Sequence, residues 1–303
     1  MKLKELSLEF LENCNDIGMS AATVVHHVGR IRRFILPALG ELDTSEIRPI
    51  HGDLVFKKGS ESSYEMGRRS VITLRSIIKY ARKKGIIFPF DIDDITIPPA
   101  RRMKDSRALN LADIAQVREY FTRPIIFSKH ARGHTQAKSH HAMIRTKALF
   151  EFLLHTGLRI SEALSVDREN VDFLNHEVRF VSKKTKRWET VYLFGAEKEL
   201  KEYMDTRKDT NTALFLSCSG KRLGPITAQT HLQTIKKRVG LKKNLTHHIF
   251  RSTFVTTLLR NKVDPRKTQL LARHTSLQTT LLYYYEVEKE ELKPIHKEVM
   301  SLI

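Results

Sequence analysis

HTGLRISEALSV, residues 155–166, is the stretch on which the fold reading turns. Apolar positions from Lys147 to His155 recur as on a helix, Gly157 stops that helix, and the pattern resumes beyond Arg159. An arginine is thereby presented at a helix junction, with Glu162 three residues further on.

Working outward from this junction, the chain stays helical on both sides except in one place. From Glu177 to Phe194 the period changes to two: Val178, Phe180 and Ser182 alternate with charged residues, a basic turn SKKTKRW follows at 182–188, and an apolar alternation returns over Thr190 to Phe194. This segment reads as a β-hairpin. Downstream, Pro225, Thr246 and the pair Asp264-Pro265 are helix starts. Upstream, Leu109 to Phe121 is a helix with Asp113 near its beginning. The intervening FSKHARGHTQAKSHHAM, residues 127–143, holds His130, His134, His140 and His141 but offers them no cysteine or carboxylate partners, so it reads as a polar surface loop rather than a metal site.

The first hundred residues read as a separate, small helical domain. Ser20 caps a helix carrying Val24, Val25, Val28, Ile31 and Ile35, with Pro37 at its end. A second helix runs from about Tyr64 to Lys84, buries Val71, Leu74, Ile77, Ile78 and Ala81, and stops at Gly85. Its opposite face carries Arg68, Arg69, Arg75, Lys79, Arg82 and Lys83, a row suited to a phosphate backbone. Pro98, Pro99 and the basic stretch to Arg107 then break the periodicity. The expected organisation is therefore a helical domain over 1–98, a basic linker over 99–107 and a larger domain over 108–303. The fold class is mainly α with a small β-hairpin or sheet, in two domains.

Charge supports a polyanionic partner. The 303 residues carry a formal net charge of +19, of which residues 1–100 contribute +2 and residues 101–303 contribute +17. No apolar run is long enough to span a bilayer, the opening MKLKELSLEFLENCND lacks a signal-peptide core, and Cys14 and Cys218 are too few for a disulfide framework. The expectation is a cytoplasmic protein, associated with the nucleoid.

Breaking a phosphodiester without a metal requires a nucleophile, cations or donors for the phosphate oxygens, and an acid for the leaving oxygen. Four segments offer such groups: the 155–166 junction with Arg159; the basic turn with Lys183 and Lys184; THHIFRSTF, 246–254, where His248 and Arg251 share a helix face; and ARHTSLQTTLLYYY, 272–285, with His274 nine residues before Tyr283. Each alone is ordinary. In this order and at these gaps they resemble the tyrosine recombinase, or phage integrase, family, through about residues 108–290: HTGLRISEAL is similar to its first-arginine box, LTHHIFRSTF to its His-x-x-Arg box and HTSLQTTLLYY to its final His and tyrosine box.

The resemblance implies a Xer-like site-specific recombinase with a two-domain DNA clamp, its first domain a core-binding module. Arg159 and Arg251 would clamp the scissile phosphate, and His248 and His274 would donate hydrogen bonds or assist proton transfer. Tyr283 would attack phosphorus to form a 3′-phosphotyrosyl link, Tyr284 being the alternate in a slipped register. A hairpin lysine would be the general acid: counting forward from Arg159 favours Lys183, counting back from VYLF favours Lys184. Glu162 would steady the arginine box. Lys186 and Arg273 join the basic row of the first domain as candidate DNA contacts. No cofactor or metal is implied. The partners implied are double-stranded DNA, three further copies of the chain in a tetramer on paired sites, joined by exchange of the tail 286–303 with its Leu292, Ile295, Val299 and Leu302, and accessory proteins. Two residues depart from the family pattern: Arg273 stands where glycine is common, and Ser252 where histidine is frequent. A type IB topoisomerase, or a DNA-binding protein of this fold that does not cleave, are the competing expectations.

Overall fold

The computed structural model describes residues 1–100, 108–123, 133–182 and 186–301, with the backbone alone for 133–139, 286, 288–293 and 295. The expected basic linker beyond residue 100, His130, Lys183, Lys184 and Leu302 lie outside the described residues, as do the side chains of His134, Leu292 and Ile295. The chain divides into two compact units, Met1–Lys104 and Asp105–Ile303.

In the first unit, α1 (Leu3–Asp16), α2 (Ala21–Arg30), α3 (Leu36–Leu39), α4 (Ile50–Ser60) and α5 (Tyr64–Lys83) surround one apolar core. Ser20 caps α2 by accepting from the Thr23 N–H. Pro37 does not end this helical run as the sequence suggests: a widened π turn, Ile31–Ile35, leads into α3, with Pro37 in its first turn. Proline has no N–H to donate and its ring crowds the carbonyl four residues back, so a regular turn is disfavoured just ahead of it. Helix α5 is as expected, with Val71, Leu74, Ile77, Ile78 and Ala81 fully buried and Gly85 at φ 83° beyond it.

Helices α1 and α4 are absent from the sequence reading. α1 buries Leu3, Leu6, Phe10 and Cys14 at helical spacing among charged neighbours. α4 holds two glycines, which lower its intrinsic propensity, and tertiary packing secures it. Gly59 of α4 lies against Gly67 of α5, where a Cβ on Gly59 would sit 2.6 Å from the Gly67 Cα.

The second unit is built around α7 (Gly133–Thr156), which follows α6 (Leu111–Thr122). α7 begins well before Lys147, so His140 and His141 stand on a helix rather than in a polar loop, and the His141 ring lies 5.5 Å from that of Tyr203. After the one-turn α8 (Ile160–Ala163) come β1 (Val171–Asp172), β2 (Glu177–Val181) and β3 (Trp188–Tyr192), an antiparallel sheet in that order. The expected hairpin is thus extended by a third, two-residue strand. Val178 pairs with Val191 and Phe180 with Glu189, all facing inward. Then follow α9 (Glu197–Asp205), α10 (Pro225–Val239), α11 (His247–Arg260), α12 (Pro265–Ala272) and α13 (Leu277–Met300). The starts at Pro225, Thr246 and Asp264-Pro265 are as read from the sequence, and Asp264 caps α12 through the N–H groups of Arg266 and Lys267. Phe250 of α11 meets Phe150 of α7 edge to face at 5.3 Å, locking the two helices that carry the motif residues. Among the described residues no helix is long and apolar enough to cross a membrane.

The close crossing of α4 and α5 leaves no room for a methyl group. Gly59→Ala is expected to destabilise the first unit by about 1–3 kcal/mol through overpacking, measured as faster amide hydrogen exchange along α5. Unchanged exchange would show that the crossing can widen freely.

Candidate active site

Three of the four motif segments meet at the guanidinium of Arg251. It projects from α11, is buried, and donates through Nη1 to the Gly157 carbonyl at 2.9 Å and through Nη2 to the Ala272 carbonyl. Gly157 adopts φ 60°, and a Cβ there would lie 2.5 Å from the Phe254 ring, so glycine serves both the backbone turn and the close approach of α11. The α7–α8 junction and the end of α12 are thereby hung on one side chain. Burial, then the neighbouring guanidiniums of Arg159 and Arg273, push the Arg251 pKa down to about 10, which leaves it charged near neutrality.

Arg159 is the residue before α8, in extended backbone conformation. Glu162, three residues on and almost wholly buried, accepts both the Arg159 N–H at 3.0 Å and its Nη1 at 2.8 Å. One carboxylate therefore caps the helix and orients the arginine. Arg159, Glu189, Gln269, Arg273 and His274 all line an open cleft of about 410 Å³ on this side of the unit.

His274 follows α12 and Tyr283 lies on α13. Their rings stack at 6.3 Å with planes 16° apart, and the Tyr283 hydroxyl is 3.3 Å from the Ser252 hydroxyl of α11. The residue that departs from the family pattern after the second arginine thus stands beside the candidate nucleophile. The His274 Nδ1 is 2.8 Å from the buried Thr280 hydroxyl. When that hydroxyl donates to Nδ1, the ring proton is on Nε2, which is then a donor. Burial, reinforced by Arg251, Arg159 and Arg273, drives the His274 pKa down to about 4, so the ring is neutral at pH 7. His248 is exposed in the first turn of α11, its ring 4.7 Å from that of His247. Tyr284 packs with Tyr283 against the small cluster of Val255, Leu259, Ala272 and Val287.

Four of the expected DNA contacts, Arg273, Arg68, Arg75 and Arg82, are engaged within the fold. Arg273 is largely buried at the edge of the cleft: its side chain is turned inward between Glu162 and Glu189, over the Phe180 ring. The basic row of α5 is largely committed within its own unit. Arg68 donates to the Pro98 carbonyl, Arg75 to the Ile95 carbonyl and Asp93, and Arg82 to the Phe90 carbonyl, bracing the segment that follows the helix. Arg69 pairs with Glu65, while Lys79 and, at the hairpin, Lys186 are exposed. A charged face read by periodicity does not reveal that the next segment folds back over it.

Residues not anticipated from sequence are Glu189, Thr280 and Gln269, whose side chain donates to the His274 carbonyl. Glu189 had a signal, a carboxylate in phase with buried Val191 along β3. Thr280 and Gln269 had none, because each acts across a turn whose geometry is set by packing.

The sequence profile of the phage integrase family matches residues 133–291, more than half of the chain. The chain belongs to the phage integrase family. This phage integrase family member is 28% identical over 286 residues to tyrosine recombinase XerD of Bifidobacterium longum, covering 88% of this chain and 87% of that protein. It is 35% identical over 146 residues to tyrosine recombinase XerC of Herpetosiphon aurantiacus, covering 46% of this chain and 47% of that one. Its fold is similar to that of the Tn1549 transposon integrase (Y379F) in complex with transposon right end DNA, at TM-score 0.73 and 16% identity over 98% of this chain and all of the other. A lambda integrase dimer bound to a COC′ core site matches with TM-score 0.71 and 15% identity, over 94% and 95% of the two chains.

The neutral state of His274 has a measurable consequence in this family member. Between its ordinary value near 6.5 and about 4, the unfolded chain takes up a proton that the folded chain refuses, so stability falls as pH is lowered through that window. The urea midpoint, read from the single tryptophan Trp188, is expected to drop more between about pH 7 and about pH 4.5 in the wild type than in His274→Asn. Equal drops would show that the ring is not held neutral by the site.

Proposed function

We propose that the chain is a tyrosine-type site-specific DNA recombinase that cleaves and rejoins strands of double-stranded DNA through a 3′-phosphotyrosyl intermediate. The observation that carries this reading is the stacking of Tyr283 on His274 with its hydroxyl beside Ser252, one residue from buried Arg251. In the forward step the Tyr283 oxygen forms a bond to phosphorus and loses its proton, the bond from phosphorus to the 5′-oxygen breaks, and that oxygen leaves with a proton. Reversal, by the 5′-hydroxyl of another strand, restores the phosphodiester and frees the tyrosine. The bond energy is retained throughout, so no nucleotide cofactor is required.

Arg159 and Arg251 hold the nonbridging oxygens as guanidinium forks. His274 donates to phosphate as a neutral ring, and His248 at the start of α11 is the second donor. A hairpin lysine, Lys183 with Lys184 as the alternate, protonates the leaving 5′-oxygen. Glu162 keeps Arg159 in place. Residues 1–98 form the core-binding domain, 99–107 the linker and 108–303 the catalytic domain, with Arg69, Lys79 and Lys186 available to backbone phosphates. The active assembly is a tetramer on paired sites, acting in the cytoplasm at the nucleoid with accessory proteins. Its α13 tails are exchanged between subunits, in keeping with the exposure of Val299 and Met300 near the helix end.

Purified protein incubated with genomic DNA is expected to become covalently attached at preferred sequences, which maps the target. On a nicked duplex of that sequence the wild type and Tyr284→Phe form a denaturant-resistant adduct, and Tyr283→Phe forms none. Arg159→Ala lowers the adduct yield by on the order of 100-fold or more, as expected for loss of a donor to transition-state charge. An adduct retained by Tyr283→Phe and lost by Tyr284→Phe would move the nucleophile by one residue.

A further inference from the structure

Arg273 is a third arginine at the site, and the proposed chemistry assigns it no role. It follows α12 with φ 53° and ψ 45°, a left-handed conformation that a side chain bearing a Cβ disfavours. A residue held there at a conformational cost has a side chain that is needed or a backbone that is over-determined. The side chain is 13% exposed, with its guanidinium carbon 5.4 Å from the centre of the Phe180 ring. Nη2 lies 3.7 Å from the Glu162 carboxylate and Nε lies 3.6 Å from that of Glu189. Both nitrogens are buried and make no hydrogen bond.

The two carboxylates belong to different parts of the site. Glu162 already holds Arg159 through two hydrogen bonds. Glu189 is on the inward face of β3, directly across from Phe180 of β2, and its half-buried carboxylate lines the cleft beside Arg273. Arg273 therefore bridges the arginine box and the hairpin by charge, and the long distances make it a tether rather than a rigid clamp.

We infer that Arg273 is a positioning residue that, shared between Glu162 and Glu189, holds strand β3 against the arginine box so that the hairpin delivers its proton donor to the leaving 5′-oxygen. This rests on the recombinase reading. A direct contact between Arg273 and the scissile phosphate is the competing role, and the chemistry of the leaving group separates the two. When the bridging 5′-oxygen is replaced by sulfur, the Tyr283 oxygen–phosphorus bond forms and the phosphorus–sulfur bond breaks with the electron pair leaving on sulfur. A thiolate departs without a proton, because a thiol is a far stronger acid than an alcohol.

The experiment compares full-length wild type, Arg273→Gly, Arg273→Lys and Glu189→Gln on two nicked duplexes of the mapped target, one with the ordinary 5′-oxygen at the scissile bond and one with sulfur. Glycine accepts the left-handed backbone, so Arg273→Gly removes the guanidinium while the turn keeps its conformation. Adduct formation by Arg273→Gly is expected to slow by on the order of 10- to 100-fold on the oxygen duplex, a part of the full effect of a general acid, and to match the wild type on the sulfur duplex. Glu189→Gln is expected to give the same selective loss, and Arg273→Lys to restore part of the oxygen-duplex rate. Equal losses on both duplexes overturn the inference in favour of phosphate contact or a purely structural role, and no loss on either shows the bridge to be idle. A wild type that forms an adduct on neither duplex overturns the recombinase reading itself.

Discussion

The buried guanidinium of Arg251 holding the Gly157 and Ala272 carbonyls is the interaction on which the rest of the second unit's site depends. A charged side chain taken out of water must satisfy its donors, and here it does so with carbonyl groups at helix ends, which have no partners within their own helices. The end of α7 and the end of α12 are therefore fixed relative to α11 at one point. Arg159 follows Gly157 by two residues, and His274 follows Ala272 by two. Loss of this guanidinium would leave both carbonyls unpaired in the interior, with structural as well as chemical consequences.

Among the described residues the site carries a small positive excess. Three guanidiniums, those of Arg159, Arg251 and Arg273, face two carboxylates, those of Glu162 and Glu189, while His274 is neutral. Burial is the first cause of the depressed pKa values of Arg251, Arg273 and His274, and the neighbouring guanidiniums add to it. An anion placed among these guanidiniums would relieve their mutual repulsion.

The first unit follows a simpler constraint. Its core is apolar and its helices meet closely where Gly59 and Gly67 remove the side chains. The basic residues of α5 are mostly drawn to the carbonyls and acids of the segment 90–98. Much of what looks like a cationic surface in a helical projection is internal bracing, and the exposed cationic character of this helix is narrower than its composition suggests.

The sequence by itself determined the helical character of both units, the buried face of α5, the hairpin, the helix starts at Pro225, Thr246 and Pro265, and the ordered set Arg159, His248, Arg251, His274 and Tyr283. These are local properties: periodicity, caps, proline and glycine placement, and spacing between motif residues. Tertiary structure alone decided that α7 extends back to Gly133, that Pro37 sits within a helical run, that Arg68, Arg75 and Arg82 turn onto the following segment, and that Arg273 points inward between Glu162 and Glu189. It also decided that Thr280 and Ser252 are the neighbours of His274 and Tyr283. Each of these depends on which segment packs against which, and a side chain's partners beyond its own helical turn leave no periodic trace in the chain. Charged residues carry the largest uncertainty of this kind, because a guanidinium on a helix face finds either water or a distant carboxylate, and only the packed structure selects between them.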